Sequence, residues 1–302
     1  MQGRVVIVGS LNMDLVARAE RLPQAGETLP GTAFATVPGG KGANQAVAAA
    51  RLGAQVAMIG CVGDDAYGQR LRDGLSAEGV DCRAVEVIVG VSTGVALIVV
   101  DAHSQNAIVI VAGSNGCLLP RSIQRFDRLL QDADVVVCQM EIPSQTVAFT
   151  LARARALGKT VILNPAPAAG PLPVEWLADI DYLIPNESEA AMLTGLPVND
   201  LPSAHVAARH LRGQGADRVI ITLGAQGALL VDAQGSEHFV APTVQSLDTT
   251  AAGDTFVGAF AAALARGEGR RQAICFGQRA AAISVTREGA QPSIPWLSEL
   301  GA

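Results

Sequence analysis

The chain contains, at residues 248–256, the stretch Asp-Thr-Thr-Ala-Ala-Gly-Asp-Thr-Phe, followed by an Ala-rich apolar run over 257–264. Two carboxylates bracket a row of small residues, and this pattern predicts a tight turn that opens a buried helix. Because no bulky side chain intervenes, the N–H groups of the first helical turn can approach an anion closely. Asp254 would lie at the same helix N-terminus. A carboxylate beside a bound phosphate is the arrangement needed to transfer a phosphoryl group to a hydroxyl.

Short apolar runs recur upstream of this stretch, at 4–9, 55–62, 134–140, 160–164, 182–185 and 218–223. Helical patterns separate most of them, for example at 45–52, 123–130, 146–157 and 204–211. Strands that are apolar on both faces and alternate with helices predict a mainly parallel sheet between two helical layers, a three-layer α/β sandwich. Several runs end in Gly, Asn or Pro, which places polar loops at the carboxyl edge of the sheet, where ligands usually bind.

One region departs from this alternation. The runs at 93–100 and 107–111 are rich in β-forming residues and flank a polar hairpin loop at 101–106, and 11–17 and 32–37 are further strand candidates. We therefore predict a small, mostly antiparallel sheet formed by about 11–37 and 91–111, inserted in a single α/β domain spanning 1–302. It would form a lid over the active site, and its uncovered face could pair with another subunit. The alternative is two hairpins without such a role.

The composition argues against several classes of protein. Of the 302 residues, 49% are hydrophobic and 17% are charged, and the net charge of −6 argues against a broad nucleic-acid-binding surface. The five scattered cysteines contain no C-x-x-C pair, which favours reduced thiols. No apolar run suits a signal peptide or a membrane span, so we expect a soluble, cytoplasmic protein.

A glycine-rich segment, Gly-Gly-Lys-Gly-Ala-Asn-Gln at 39–45, precedes an Ala-rich helix. It is not a Walker A loop, because Ala35 stands where the first glycine belongs and Gly42 where Ser or Thr belongs. Its glycines would let a small polar ligand lie against the backbone, and Lys41 and Asn44 could donate to hydroxyl groups. A plain glycine-rich helix entry explains the same residues equally well.

The first strand runs into Gly-Ser-Leu-Asn-Met-Asp at 9–14 and lacks G-x-G-x-x-G, which argues against an NAD-dependent oxidoreductase. On a strand, Asn12 and Asp14 point to one face, an arrangement that suits neighbouring hydroxyls of a sugar. They could equally be polar residues at a strand end. Glu141, after another strand, is either a solvated loop charge or a ligand contact.

Three further features allow two interpretations each. Asn186 and Glu189 have the spacing of a helix capping box. The glycines of Thr-Leu-Gly-Ala-Gln-Gly at 222–227 suit either a phosphate-binding nest or a plain turn. Asp254 could be only a helix cap, and a position at a helix N-terminus would keep it ionised. The four histidines lack metal-binding spacing.

Together these segments resemble the ribokinase (PfkB) family of carbohydrate kinases, in order from 9–14 to 287–293. The segments at 39–45 and 248–256 are similar to two signatures of that family. The resemblance implies ATP-dependent phosphorylation of D-ribose at O5 to give ribose 5-phosphate. It implies that Asp254 accepts the proton of the attacking hydroxyl and that Ala251, Ala252 and Gly253 form an anion hole for the γ-phosphoryl group.

The same resemblance assigns the binding residues. The sugar would contact Asn12, Met13, Asp14, Gly40, Lys41, Gly42, Asn44, Glu141 and Asp254. The ATP would contact Asn186, Glu189, Thr222, Leu223, Gly224, Ala225, Gln226, Gly227, Gly253 and Gln278, with Asn186 and Glu189 also organising Mg²⁺. An activating K⁺ would be held by Asp248, Thr250, Ser284, Arg287, Gly289 and Ser293. The resemblance also implies a homodimer that forms through the lid.

Three alternatives stay open at this point. The chain could be a sibling kinase acting on deoxyribose, another sugar or a nucleoside. It could be a sugar- or nucleotide-binding regulator without catalysis, although an intact Asp254 argues against this. An NAD-dependent oxidoreductase is the third.

Overall fold

The computed structural model describes residues 3–103 and 105–301, and its strands form two sheets. The strands are β1 (Arg4–Val8), β2 (Asn12–Ala19), β3 (Gly31–Gly39), β4 (Gln55–Gly63), β5 (Asp81–Ile88), β6 (Gly94–Val100), β7 (Asn106–Val111), β8 (Val135–Cys138), β9 (Thr160–Leu163), β10 (Tyr182–Leu183), β11 (Val219–Thr222), β12 (Ala228–Asp232) and β13 (Gly235–Phe239). The α-helices are α1 (Lys41–Arg51), α2 (Ala66–Ala77), α3 (Pro120–Arg125), α4 (Asp127–Asp132), α5 (Ser144–Ala156), α6 (Val174–Leu177), α7 (Glu187–Thr194), α8 (Leu201–Gly213), α9 (Ala252–Ala265) and α10 (Arg270–Ser284). Short 3-10 turns lie at Gly113–Cys117, Gly224–Gln226, Gln291–Ser293 and Leu297–Glu299.

The large sheet has the strand order β13-β12-β11-β10-β9-β8-β1-β4-β5. From β5 to β11 every neighbouring pair is parallel, and β12 and β13 are antiparallel additions at one edge. The mainly parallel sheet predicted from the apolar runs is confirmed. Its parallel strands end at one common edge, so the loops that follow them can meet around a ligand.

Both faces of the large sheet are covered, as β1 illustrates. Val5 and Ile7 point into a core shared with α1, α9 and α10, whereas Val6 and Val8 point into a second core shared with α5 and α8. Alternate side chains of a strand point to opposite faces, so an apolar run without polar interruptions builds both cores at once. The three-layer architecture is therefore confirmed. None of the helices in the described ranges is long and apolar enough to cross a membrane.

The small sheet has the order β3-β2-β6-β7. The pairs β2–β3 and β6–β7 are antiparallel, and a parallel pairing of β2 with β6 joins the two hairpins. This confirms the predicted second sheet. The loop expected at 101–106 includes Ser104, which lies outside the described residues. In the β2–β3 register Asn12 pairs with Gly39, so the end of β3 delivers the chain to α1 beside the start of β2.

Helices α1 and α9 cross at very close range, and this crossing positions the site. A Cβ added at Gly258 would lie 2.5 Å from Ala48 Cβ and 2.6 Å from the Gln45 carbonyl oxygen. Small residues on both helices let the two backbones approach each other. Gly258 is four residues after Asp254, so both lie on one face of α9. The Ala-rich composition of both helices thus brings Asp254 against the first turns of α1.

Candidate active site

A cavity of about 200 Å³ lies at the carboxyl ends of β9, β10 and β11. Asn164, Ile184 and Thr222 line it from the ends of these strands, and the first turn of α9 lines it from above the sheet edge. Lys41 and Glu189 complete the wall. The polar loops expected at this edge of the sheet therefore do surround a cavity.

The first turn of α9 opens onto this cavity. Ala251 precedes the helix with φ 58° and ψ 14°, in the left-handed region, and its carbonyl accepts hydrogen bonds from the Thr255 N–H and Oγ1, each at 2.8 Å. The N–H of Gly253 belongs to the first turn, where an α-helix offers no carbonyl partner. A Cβ added at Gly253 would meet nothing within 4 Å, so the cavity is open there. Of the three amides expected to form the anion hole, that of Ala252 already donates to the Thr249 carbonyl at 3.2 Å.

Asp254 is held by two amide side chains from α1. Its Oδ2 accepts from Asn44 Nδ2 at 2.9 Å and its Oδ1 from Gln45 Nε2 at 2.9 Å. Each oxygen can accept a further bond, so the carboxylate can still receive a proton from a bound hydroxyl.

Burial raises the pKa of the Asp254 carboxyl above its ordinary value, although Lys41 and the two amide donors act to lower it. The helix N-terminus was expected to keep this carboxyl ionised, and burial opposes that effect by raising its pKa. The side chain of Asp254 is only 7% exposed, and desolvation by the packed helices outweighs the favourable neighbours. A raised pKa makes this carboxylate a better proton acceptor than an exposed aspartate.

Lys41 is the first residue of α1 and lies among three acids. Burial lowers the pKa of its ammonium group, but Asp254, Glu141 and Glu189 together outweigh burial and raise it. Lys41 is therefore charged, and it is the cation that compensates this acidic region. A charge in this position can neutralise an anionic ligand that enters the cavity.

Glu141 accepts hydrogen bonds from several of the residues expected to bind sugar. Its Oε2 accepts from Ser10 Oγ at 2.5 Å, from the Lys41 N–H at 3.1 Å and from Asn12 Nδ2 at 3.4 Å. Burial, with Glu141 and Asp254 nearby, raises the pKa of Asp14 to about 7. Asn12, Asp14, Lys41 and Glu141, expected together from distant segments, thus lie in one region.

Other predicted sugar-binding positions have structural roles. Met13 is fully buried in the core, on the opposite strand face from Asn12 and Asp14. Gly40 has φ 90°, and a Cβ there would lie 2.7 Å from the Asn12 nitrogen. A Cβ at Gly42 would lie 2.6 Å from the Ser10 nitrogen. The space expected for a ligand beside these glycines is filled by the protein's own backbone.

Asn186 and Glu189 form the capping box at the start of α7. Asn186 Oδ1 accepts from the Glu189 N–H at 2.8 Å, and Glu189 Oε2 accepts from the Asn186 N–H at 2.9 Å. Burial raises the pKa of Glu189, against the Asn186 hydrogen bond and Lys41. The capping interpretation is confirmed, and both residues also line the cavity.

The glycine-rich turn after β11 is largely closed on itself. The Leu223 N–H donates to the Gly227 carbonyl at 2.8 Å, and the Gln226 and Gly227 N–H groups donate within the turn. These three amides are therefore not free to form a nest for phosphate. Leu223 is buried in the core, while Gly224 and Ala225 lie in the 3-10 turn. Gln278, expected at the nucleotide base, is 7% exposed and donates its Nε2 to the Phe239 carbonyl at 2.7 Å.

The residues expected to hold a monovalent cation lie on two loops that Asp248 joins. Its Oδ1 accepts from the Thr250 N–H at 2.9 Å and Oγ1 at 2.6 Å, and its Oδ2 accepts from the Gly289 N–H at 2.8 Å. These bonds outweigh burial and lower the pKa of Asp248. Ser284 and Ser293, which lie on either side of Gly289 in the sequence, are both fully buried. The side chain of Arg287 forms an ion pair with Glu299. Across 3–103 and 105–301, no group of three or more His, Cys, Asp or Glu side chains suits a metal ion.

Three buried amides at the site were given no role from the sequence: Gln45, Gln139 and Asn164. Gln45 Nε2 also donates to Asn164 Oδ1 at 3.0 Å, and Gln139 Nε2 donates to Gln45 Oε1 at 2.6 Å. The only available signal was indirect, because a glutamine inside the Ala-rich α1 and another at the end of an apolar strand are both exceptions to their surroundings.

Comparison with known proteins identifies the family. Residues 2–297 match the pfkB family carbohydrate kinase profile. The ribokinase of Haemophilus influenzae is 42% identical over 300 residues, which cover 99% of this chain and 97% of that protein. The deoxyribokinase of Salmonella typhi is 37% identical over 295 residues, which cover 98% and 96% of the two chains.

The solved structures agree. The structure of Arabidopsis thaliana ribokinase complexed with ribose and ATP has a TM-score of 0.93 to this chain at 33% identity, covering 99% of this chain and 98% of that one. A family match along nearly the whole length and relatives of this identity together show that the chain belongs to the pfkB family of carbohydrate kinases.

Proposed function

We propose that this protein phosphorylates D-ribose at O5 with ATP, giving ribose 5-phosphate and ADP. One observation carries the proposal: Asp254 is held by Asn44 and Gln45 at the first turn of α9, where Gly253 opens onto the cavity. The proposed base and the first turn of α9 thus line the same cavity, which supports the proposal. The relatives that act on ribose, including one solved with ribose and ATP, support this choice of substrates.

In the proposed reaction, the O5 hydroxyl donates a hydrogen bond to Asp254 while O5 attacks the γ-phosphorus of ATP. The new O5–P bond forms as the bond from the γ-phosphorus to the β,γ-bridging oxygen breaks, and the O5 proton passes to Asp254. Charge on the transferred group is stabilised by the N–H of Gly253 and its neighbours in the α9 turn. Lys41, which also lines the cavity, would compensate this charge.

We propose that the sugar is oriented by Asn12, Asp14, Lys41, Asn44 and Glu141, which hydrogen-bond its other hydroxyls. The nucleotide would lie toward Asn186, Glu189, Thr222 and the turn that follows, with Gln278 near the base. Mg²⁺ bound with ATP would neutralise phosphate charge, and Glu189 in the cavity wall is the acidic side chain suited to organise it. K⁺ between the loops that Asp248 joins would steady the α9 turn, since oxygen ligands from both loops are close in space.

We propose a homodimer formed through the small sheet, and a cytoplasmic location. Strand β7 is exposed along its whole length at the edge of that sheet, and Phe34 on β3 is 68% exposed. An apolar strand edge of this kind favours pairing with a second copy. Among the described residues the five cysteines are free, which suits a reducing compartment.

The dimer surface can be tested by substitution of Val109 on β7. Val109→Lys is expected to give monomers by light scattering. The control is Val206→Lys on α8, which should leave the dimer intact; Val206 is 57% exposed and Val109 is 60% exposed. Unchanged mass for Val109→Lys contradicts the dimer surface.

The test of the reaction is a coupled assay of ADP release over a panel of ribose, deoxyribose, other sugars and nucleosides, repeated with K⁺ replaced by Na⁺. Turnover that is highest with ribose and falls in Na⁺ supports the proposal. The deoxyribokinase relative makes deoxyribose the main competing substrate, and a preference for it would assign the sibling activity. Sugar binding without any turnover would indicate a regulator instead.

A further inference from the structure

The feature that goes beyond this reaction is a row of buried amides behind Asp254. Gln139, after β8, donates from Nε2 to Gln45 Oε1 at 2.6 Å, and Gln45 Nε2 donates to Asp254 Oδ1 at 2.9 Å. Gln139 and Gln45 are both 0% exposed. A cavity ligand can therefore reach Asp254 but not the two glutamines behind it.

The charge of the carboxylate determines the direction of this row. An ionised carboxylate only accepts hydrogen bonds, so Gln45 must present its N–H₂ group to Asp254. Its carbonyl oxygen then points to the opposite side, and the group there has to be a donor. Gln139 supplies that donor. The second N–H of Gln45 is taken by Asn164 Oδ1 at 3.0 Å, and Asn164 is itself fixed by donating to the Ile184 carbonyl at 2.9 Å.

Space for Gln139 is created by Gly9 at the end of β1. A Cβ at Gly9 would collide with Gln139 Oε1, so any side chain there would displace the amide. This gives a physical reason for glycine at position 9. Gln139 Oε1 is buried there and has no hydrogen-bond partner among the described residues, so the amide is bonded through Nε2 to Gln45.

We propose that Gln139 is a positioning residue that fixes the Gln45 amide in the orientation that donates to Asp254, and so maintains Asp254 as an ionised acceptor. The proposal rests on the proposed role of Asp254 as the base. Asp254 faces Lys41 and Asn44 on α1, Asp14 on β2, Glu141 after β8 and Glu189 on α7. Burial first, and then the three acids, favour its protonated form, while Lys41, Asn44 and Gln45 favour the ionised form. Loss of one donor moves this balance toward the inactive, protonated form.

Replacement of Gln139 by Glu should reverse the row. A carboxylate at this position would attract Gln45 Nε2 and turn the Gln45 oxygen toward Asp254. Asp254 could then bond to Gln45 only when protonated. Gln139→Met also removes the donor and is similar in size, but it does not attract Gln45 Nε2 and so does not turn the Gln45 amide. Gln139→Glu and Gln139→Met therefore differ more in chemistry than in shape.

The experiment measures kcat and KM for ribose against pH for the wild type, Gln139→Met, Gln139→Asn and Gln139→Glu. We expect kcat to fall by about tenfold or more in Gln139→Met, since a hydrogen bond to a charged group is lost or misdirected. The acid limb of the kcat profile should move to higher pH, with KM for ribose nearly unchanged, and Gln139→Glu should move it further. Gln139→Asn keeps the amide, but its side chain is one methylene too short to reach Gln45, so this variant should behave like Gln139→Met. It provides the same test if Gln139→Met does not fold.

The matched control is Thr150→Val, which removes a buried hydrogen bond in α5, on the other face of the sheet, where Thr150 Oγ1 donates to the Thr146 carbonyl at 2.7 Å. It should lose stability without any shift of the pH profile. A wild-type acid limb in folded Gln139→Met or Gln139→Asn overturns the proposal, as does a Gln139→Glu profile identical to that of Gln139→Met. Absence of sugar-dependent ADP release in the wild type would instead refute the proposed function.

Discussion

Gly258→Ala tests whether the close crossing of α1 and α9 assembles the site. The added Cβ would lie 2.5 Å from Ala48 Cβ, and ordinary contact begins at 3.4 Å, so the helices must separate by about 0.9 Å. A separation of that size would stretch the bonds from Asn44 and Gln45 to Asp254 from 2.9 Å to at most about 3.8 Å, which is beyond hydrogen-bond range. A displacement of about 1 Å at a reacting group can lower the rate by about a hundredfold.

Gly258→Ala should also lower the free energy of unfolding, although this effect should be smaller than the loss of kcat. Overpacking costs about 1–3 kcal/mol, and the gain in helix propensity from Gly to Ala offsets about 1 kcal/mol of that. The assays are kcat for ribose-dependent ADP release and the free energy of unfolding in urea. The control is Gly74→Ala in α2, where an added Cβ meets nothing within 4 Å; it should gain about 0.5–1 kcal/mol and keep full activity. Wild-type kcat in Gly258→Ala, with a stability gain like that of Gly74→Ala, would refute the reasoning.

Two further predictions concern the cavity and pH. Gly253→Val should leave the urea midpoint nearly unchanged, because a Cβ at this position meets nothing within 4 Å. It should lower kcat by about a hundredfold by obstructing the α9 N–H groups, and a kcat equal to that of the wild type would show that phosphate does not approach there. Asp14 has a folded-state pKa of about 7 against 3.8, so its contribution to stability is present below pH 3.8 and is lost as pH rises through about 7. Asp14→Asn should therefore match the wild type in stability near pH 4 and exceed it above pH 7, by on the order of 4 kcal/mol at most; an advantage independent of pH would contradict the burial of this carboxylate.

Much of the fold follows from local patterns. The continuous apolar runs identified β1, β4, β8, β9 and β11, because a strand buried on both faces has to be apolar throughout. By contrast, β5 and α2 were not identified. Strand β5 carries charged side chains at Arg83 and Glu86, and α2 has only a narrow buried stripe, with Leu71 and Leu75 facing the core. The run at 123–130 was predicted as one helix, but the backbone leaves helical geometry at Phe126, so α3 and α4 are separate.

The candidate site divides in the same way. Asp254 and Asn44 were identified from residues near them in sequence. The bond from Gln45 to Asp254 joins residues 209 positions apart, and no local pattern predicts it. The raised pKa of Asp254 was not expected from the sequence for a related reason: helix position is a local property, whereas burial depends on how α1 packs against α9. Both the Gln45–Asp254 hydrogen bond and the raised pKa of Asp254 result from tertiary packing, which the sequence pattern does not specify in detail.

The most direct test of the central claim is the turnover of Asp254→Asn with ribose and ATP, measured beside ribose binding by calorimetry. If Asp254 receives the O5 proton, ADP release should fall by about 10²–10⁴-fold, while the sugar still binds through its proposed contacts with Asn12, Asp14 and Glu141. Turnover close to that of the wild type would mean that the carboxylate at the mouth of α9 is not the base.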